Sequence, residues 1–139
     1  AAAHSCGAAL NMGAVSRGGR VTHTGHLIPG DDDWFRVSFP QSGRPGAGTP
    51  RIRISGLASG PNPFRIEVQR SCGTRYSCGS GGSADSETEF SFVDNASTPG
   101  VNQWSTTRTS WPSTAYVRVF RTSAAANCAN AAYRLEVTR

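Results

Sequence analysis

Short runs along this chain alternate apolar and polar residues. Phe35-Arg36-Val37-Ser38-Phe39, Arg51-Ile52-Arg53-Ile54-Ser55 and Phe64-Arg65-Ile66-Glu67-Val68-Gln69 put every second side chain on one face, the pattern of a half-buried strand. Glu89-Phe90-Ser91-Phe92, Ala115-Tyr116-Val117-Arg118-Val119-Phe120 and Tyr133-Arg134-Leu135-Glu136-Val137-Thr138 repeat it, while Arg20 to Ile28 and Trp104 to Thr109 show it more weakly. About eight strands follow. Turn-forming residues separate them at Pro29-Gly30, Ser42 to Pro50, Ser59 to Pro63, Cys78 to Ser83, Ala96 to Gly100 and Ser110 to Ser113. No window holds apolar residues at helical spacing, and the one Ala-rich stretch, Ala124 to Ala132, is broken by Asn127, Cys128 and Asn130.

Alternating strands without intervening helices predict an all-β fold, an antiparallel β-sandwich or jelly roll. The predicted inner faces carry Phe35, Val37, Phe39, Ile52, Ile54, Phe64, Ile66, Val68, Phe90, Phe92, Val117, Val119, Tyr133, Leu135 and Val137. Residues 20–139 form the predicted domain. Residues 1–19, rich in Ala and Gly and without clear alternation, form an N-terminal arm tied to it.

The chain has 139 residues, of which 37% are hydrophobic, so one thin core is expected. Its cysteines, Cys6, Cys72, Cys78 and Cys128, are even in number and suit disulfides in an oxidising compartment. They allow three connectivities. The short gap favours Cys72–Cys78, which leaves Cys6–Cys128 by elimination. No apolar run reaches the ~20 residues of a membrane span.

The net charge is +5, and every basic residue is Arg. Biased codon usage explains that choice as readily as selection for anion binding does. Arg36, Arg51, Arg53, Arg65, Arg118 and Arg134 all fall opposite the core in their strands. On one sheet they would form a positive face for sulfate, phosphate or carboxylate groups of a polymer; Glu67 and Glu136 argue instead for cross-strand pairing. Nucleic acid fits poorly, because no reading motif accompanies the charge.

The order of the segments resembles the bacterial pre-peptidase C-terminal (PPC) domain. Gly30-Asp31-Asp32-Asp33-Trp34-Phe35-Arg36-Val37 is similar to that family's opening G-D-x-D-W-Y/F-x-V strand. Ile52-Arg53-Ile54-Ser55-Gly56 with Phe64-Arg65-Ile66-Glu67-Val68 stands in the place of its paired central strands. Ala115 to Phe120 with Tyr133 to Val137 stands in that of its closing hairpin. The resemblance implies a calcium-tolerant β-sandwich attached to secreted proteins. It departs at Asn62-Pro63-Phe64-Arg65-Ile66-Glu67-Val68, where the family's two characteristic acids are missing.

Asp31, Asp32 and Asp33 are the densest acidic run and offer hard oxygen ligands for Ca²⁺. Adjacent strand residues point to alternate sides, so at most two of the three converge; the competing reading has Asp33 accepting from backbone amides. No cofactor is required by the sequence. His23 and His26 would face opposite ways, which excludes joint metal chelation. There is no G-x-S-x-G elbow, and Asp85, Glu87 and Glu89 read as a polar loop rather than a glycosidase pair.

The chain therefore reads as noncatalytic. Aromatic rings suit contact surfaces, and the loop side carrying Arg75, Tyr76, Trp104 and Trp111 is the expected binding region, with Arg51 and Arg53 on the sheet. The leading expectation is a secreted or cell-surface module that binds an extracellular polymer, polysaccharide or fibrous protein. The alternatives are a self-assembling subunit of a filament, layer or appendage whose arm lends a strand to a neighbour, and a domain assisting secretion or folding of a larger exported protein.

Overall fold

The computed structural model describes residues 3–40, 49–76, 85–92, 113–122 and 131–139. A single 3-10 turn, Cys6–Ala8, precedes nine strands among the described residues. They are β1 (Leu10–Ala14), β2 (Arg20–His26), β3 (Asp32–Ser38), β4 (Arg51–Gly56), β5 (Phe64–Ser71), β6 (Thr74–Arg75), β7 (Glu89–Ser91), β8 (Thr114–Arg121) and β9 (Ala132–Thr138). Two sheets form the sandwich, one in the order β1-β3-β8-β5-β6 and the other β2-β9-β4-β7.

Alternation explains the burial. All fifteen residues expected on the inner faces are buried, none of them more than 2% exposed. Val15, Leu27, Tyr76 and Ala115 join the same core. Phe39, Phe90, Phe92 and Tyr76 pack edge-on or tilted at one end, with ring centroids 5.0 to 6.1 Å apart.

The antiparallel expectation holds for every strand pair among the described residues except β1, which runs parallel to β3. The segment expected as an arm thus supplies an edge strand of its own sheet. Nor do the two strand pairs suggested by the resemblance form. β4 and β5 lie in different sheets, as do β8 and β9. Asn62 holds the first crossover: its side-chain amide donates to the Ile54 carbonyl and its oxygen accepts from the Phe64 amide, each at 3.0 Å. The weak strand at Trp104 to Thr109 lies outside the described residues.

β5 and β6 form a hairpin turning through Cys72-Gly73, where Gly73 takes φ 91° that a side chain would resist. Cys72 sits at this tip and bonds Cys6. That bond corrects both expected pairings, because Cys72–Cys78 and Cys6–Cys128 each need a sulfur already used. Proximity along the chain misled: the hairpin reverses at Gly73, and Cys72 meets a segment 66 residues away in sequence. Cys78 and Cys128 lie outside the described residues.

A buried polar tie joins the sheets. The Tyr133 phenol of β9 donates to the Asp33 carboxylate of β3 at 2.6 Å, deep in the sandwich. Tyr133 pairs across its sheet with Gly25, where a methyl group would lie 2.7 Å from the phenol oxygen, so glycine makes the room the ring requires.

Candidate binding surfaces

Each sheet turns one face outward, and register decides what it shows. On the four-stranded sheet, Arg20, Thr22 and Thr24 of β2 stand opposite Thr138, Glu136 and Arg134 of β9. Those in turn stand opposite Arg51, Arg53 and Ser55 of β4. β7 adds Ser91 beside Arg51 and Glu89 beside Arg53. Strand neighbours lie about 4.8 Å apart and alternate residues about 6.8 Å apart, so these side chains form a lattice of Arg, Glu and hydroxyl groups.

Four arginines share this face with two glutamates. Glu89 pairs with both Arg51 and Arg53, and Glu136 with Arg20 at 3.6 Å. Arg134 is exposed, its cross-strand neighbours are Thr24 and Ser55, and among the described residues no carboxylate pairs with it. Arg51 and Arg53 are each about half exposed. Glu89, expected in a polar loop with Asp85 and Glu87, is instead a buried strand residue committed to these arginines.

The five-stranded sheet is different. Residues 3–9 cross its outer face as a strap. The strap starts at β3, where the Trp34 amide donates to the Ala3 carbonyl at 2.7 Å and His4 Nδ1 donates to the Asp32 carbonyl at 2.8 Å. It is fixed at the β5–β6 hairpin by the Cys6–Cys72 bond, then returns to the sheet edge as β1. Trp34 is 8% exposed although its position is on the outward side, beside Arg118.

Ion pairs occupy much of this face. Arg118 donates to Asp32 at 2.7 Å, and Arg75 to Glu67 at 2.7 Å. Glu67 also accepts from Gln69 at 2.8 Å and is only 3% exposed, and it holds the Arg75 pKa above its ordinary value. Arg65 donates to the carbonyls of Asn62 and Phe64, both at 2.7 Å.

The expected contact cluster is therefore dispersed. Arg75 is exposed but engaged with Glu67. Tyr76 is a correction: it is 3% exposed, packed on Phe90 and Phe92, because the hairpin returns it to the inner face beside Val68. Burial raises its phenol pKa. Trp104 and Trp111 lie outside the described residues. Arg51 and Arg53 stay together on the opposite sheet.

The aspartate run also separates. Asp31 is exposed, Asp32 turns outward to Arg118, and Asp33 turns inward to Tyr133 rather than to backbone amides. Among the described residues no three His, Cys, Asp or Glu side chains group as metal ligands.

His23 and His26 face opposite ways, as the strand period requires. His23 packs on Phe35 with ring centroids 4.8 Å apart and lies 6.3 Å from the Tyr133 ring. Burial lowers its pKa below 6.5, partly opposed by the Asp33 charge. Below about pH 6.5 the unfolded chain then binds a proton that folded His23 resists, so its contribution is full above that pH and is lost as pH falls through the lower folded value. Melting curves from about pH 7 to about pH 5 are expected to fall less steeply for His23→Gln than for the parent; parallel profiles would contradict the assignment.

Among the described residues no helix is long and apolar enough to cross a membrane. The Cys6–Cys72 bond indicates an oxidising, extracellular-type environment. No protein-family model matches the chain, and no curated protein and no solved structure matches it, so its surfaces are read on their own chemistry.

Proposed function

We propose that this protein is a secreted, noncatalytic module that binds an acidic extracellular polysaccharide through the outer face of its four-stranded sheet. The observation that carries this reading is the lattice of Arg20, Arg51, Arg53 and Arg134 on that face, with only Glu89 and Glu136 among the described residues to balance it. Guanidinium forks match carboxylate and sulfate oxygens, and the strand spacing repeats the charges along a polymer's length. The Thr22, Thr24, Thr138 and Ser55 hydroxyls offer sugar hydroxyls both donors and acceptors. A PPC-like attachment to a larger exported protein is compatible with such an anchoring role.

Retention on immobilised polygalacturonate, with neutral dextran as control, tests this reading. Binding is expected to weaken steeply with salt, and Arg51→Gln/Arg53→Gln/Arg134→Gln together to lower affinity more than about tenfold. Equal retention on dextran, or an unaffected triple variant with a parental melting curve, would refute it.

The strand-lending version of the assembly reading meets two opposing observations. β1 is hydrogen-bonded to its own β3, and Cys6 is bonded to its own chain.

A further inference from the structure

The strap leaves a gap where it leaves the sheet. A groove of about 240 Å³ is lined by Cys6, Gly7, Ala8 and Ala9 of the strap, Cys72 of the hairpin, and Arg36 and Tyr116 on the sheet. Arg36 and Tyr116 are cross-strand neighbours on β3 and β8, so their positions in the floor are set by sheet register. The strap and its disulfide make the wall.

Two features set this groove apart. Arg118 and Arg75 on the same face each have a carboxylate partner, whereas among the described residues none pairs with Arg36. A guanidinium beside an aromatic ring in a small concavity is a complementary pair: the fork takes a carboxylate in two parallel hydrogen bonds, and the ring takes the C–H face of a sugar. The volume suits one ring rather than a stretch of polymer.

We propose that this groove is a second binding site, distinct from the arginine lattice, for a single carboxylate-bearing sugar unit. Arg36 holds the carboxylate, Tyr116 stacks on the ring, and the Cys6–Cys72 wall closes the side. The site lies on the opposite sheet from the polymer-binding face, so either proposal can fail without the other.

Titration of the isotope-labelled protein with D-glucuronate, followed by amide shifts, is the test, with D-glucose as the uncharged control. Saturable shifts at the strap and at Tyr116 are expected with glucuronate, and binding at least about tenfold weaker with glucose. Arg36→Gln is expected to lose about tenfold in affinity and Arg36→Lys to fall between, since lysine keeps the charge but not the fork. Arg36 is exposed, and dispersed amide spectra would establish that its variants fold. Arg17→Gln, at an exposed arginine in the turn after β1, is expected to leave this titration unchanged. Equal binding of glucose, unchanged affinity in Arg36→Gln, absence of saturable shifts, or shifts centred on Arg134 would each overturn the proposal.

Discussion

The double variant Cys6→Ser/Cys72→Ser is expected to unfold about 4 kcal/mol more readily than the parent, the chain-entropy value for a 66-residue loop. For a domain of this size that corresponds to a melting temperature lower by roughly 10–15 °C. The loss falls unevenly. The strap is held at β3 by the backbone bond at Trp34 and the His4 contact, but at the hairpin its covalent hold is Cys72. Hydrogen exchange is therefore expected to rise first at residues 3–9 and at the Trp34 amide. Peptide mapping of the parent should recover Cys6 linked to Cys72; a Cys72–Cys78 peptide as the major species would contradict the topology of the strap. Substitution is preferable to reduction here, since it leaves the other two cysteines unaltered.

Tyr133→Phe is expected to cost roughly 3 kcal/mol, far more than the loss of one ordinary hydrogen bond. Its phenol is the side-chain donor to Asp33, a carboxylate only 6% exposed, and removing it leaves a desolvated acceptor without that partner. Burial, reinforced by Asp33, drives the Tyr133 pKa far above its ordinary value, so the phenol stays a donor at all ordinary pH. Urea unfolding of Tyr133→Phe, Asp33→Asn and the double variant measures the coupling. A double variant less destabilised than the sum of the singles is expected, because the second change removes the group the first left unpaired. Additive losses would mean that the two side chains do not act as a cross-sheet tie.

The two effects show what kind of object this is. The core gains from the Cys6–Cys72 link outside the sandwich and from the Asp33–Tyr133 link inside it. Neither link touches the arginine lattice. The same division keeps the proposed tests separable: stability reports on Cys6, Cys72, Asp33 and Tyr133, and binding on Arg51, Arg53 and Arg134.

What could be read along the chain was whatever depends on a residue's immediate neighbours. The period of two placed fifteen residues inside the core and Arg36, Arg51, Arg53, Arg65, Arg118 and Arg134 on the opposite side of their strands, because alternation is imposed by backbone geometry alone. Tyr76 was within reach by the same logic. A hairpin through Cys72-Gly73 makes Thr74-Arg75-Tyr76 a returning strand, and alternation then buries the tyrosine.

Other features depend on which strands become neighbours, and no local pattern encodes that. β4 and β9 had to fall side by side before Arg51, Arg53 and Arg134 could share a face, while β8 had to enter the other sheet to put Tyr116 next to Arg36. The pairing of Cys6 with Cys72 needed the strap to cross that second sheet. Composition and periodicity thus determined the class of fold, its interior and the charge on its exterior. Tertiary structure alone decided partners, since sheet order and disulfide geometry are contacts between distant segments, selected by the packing of the whole chain.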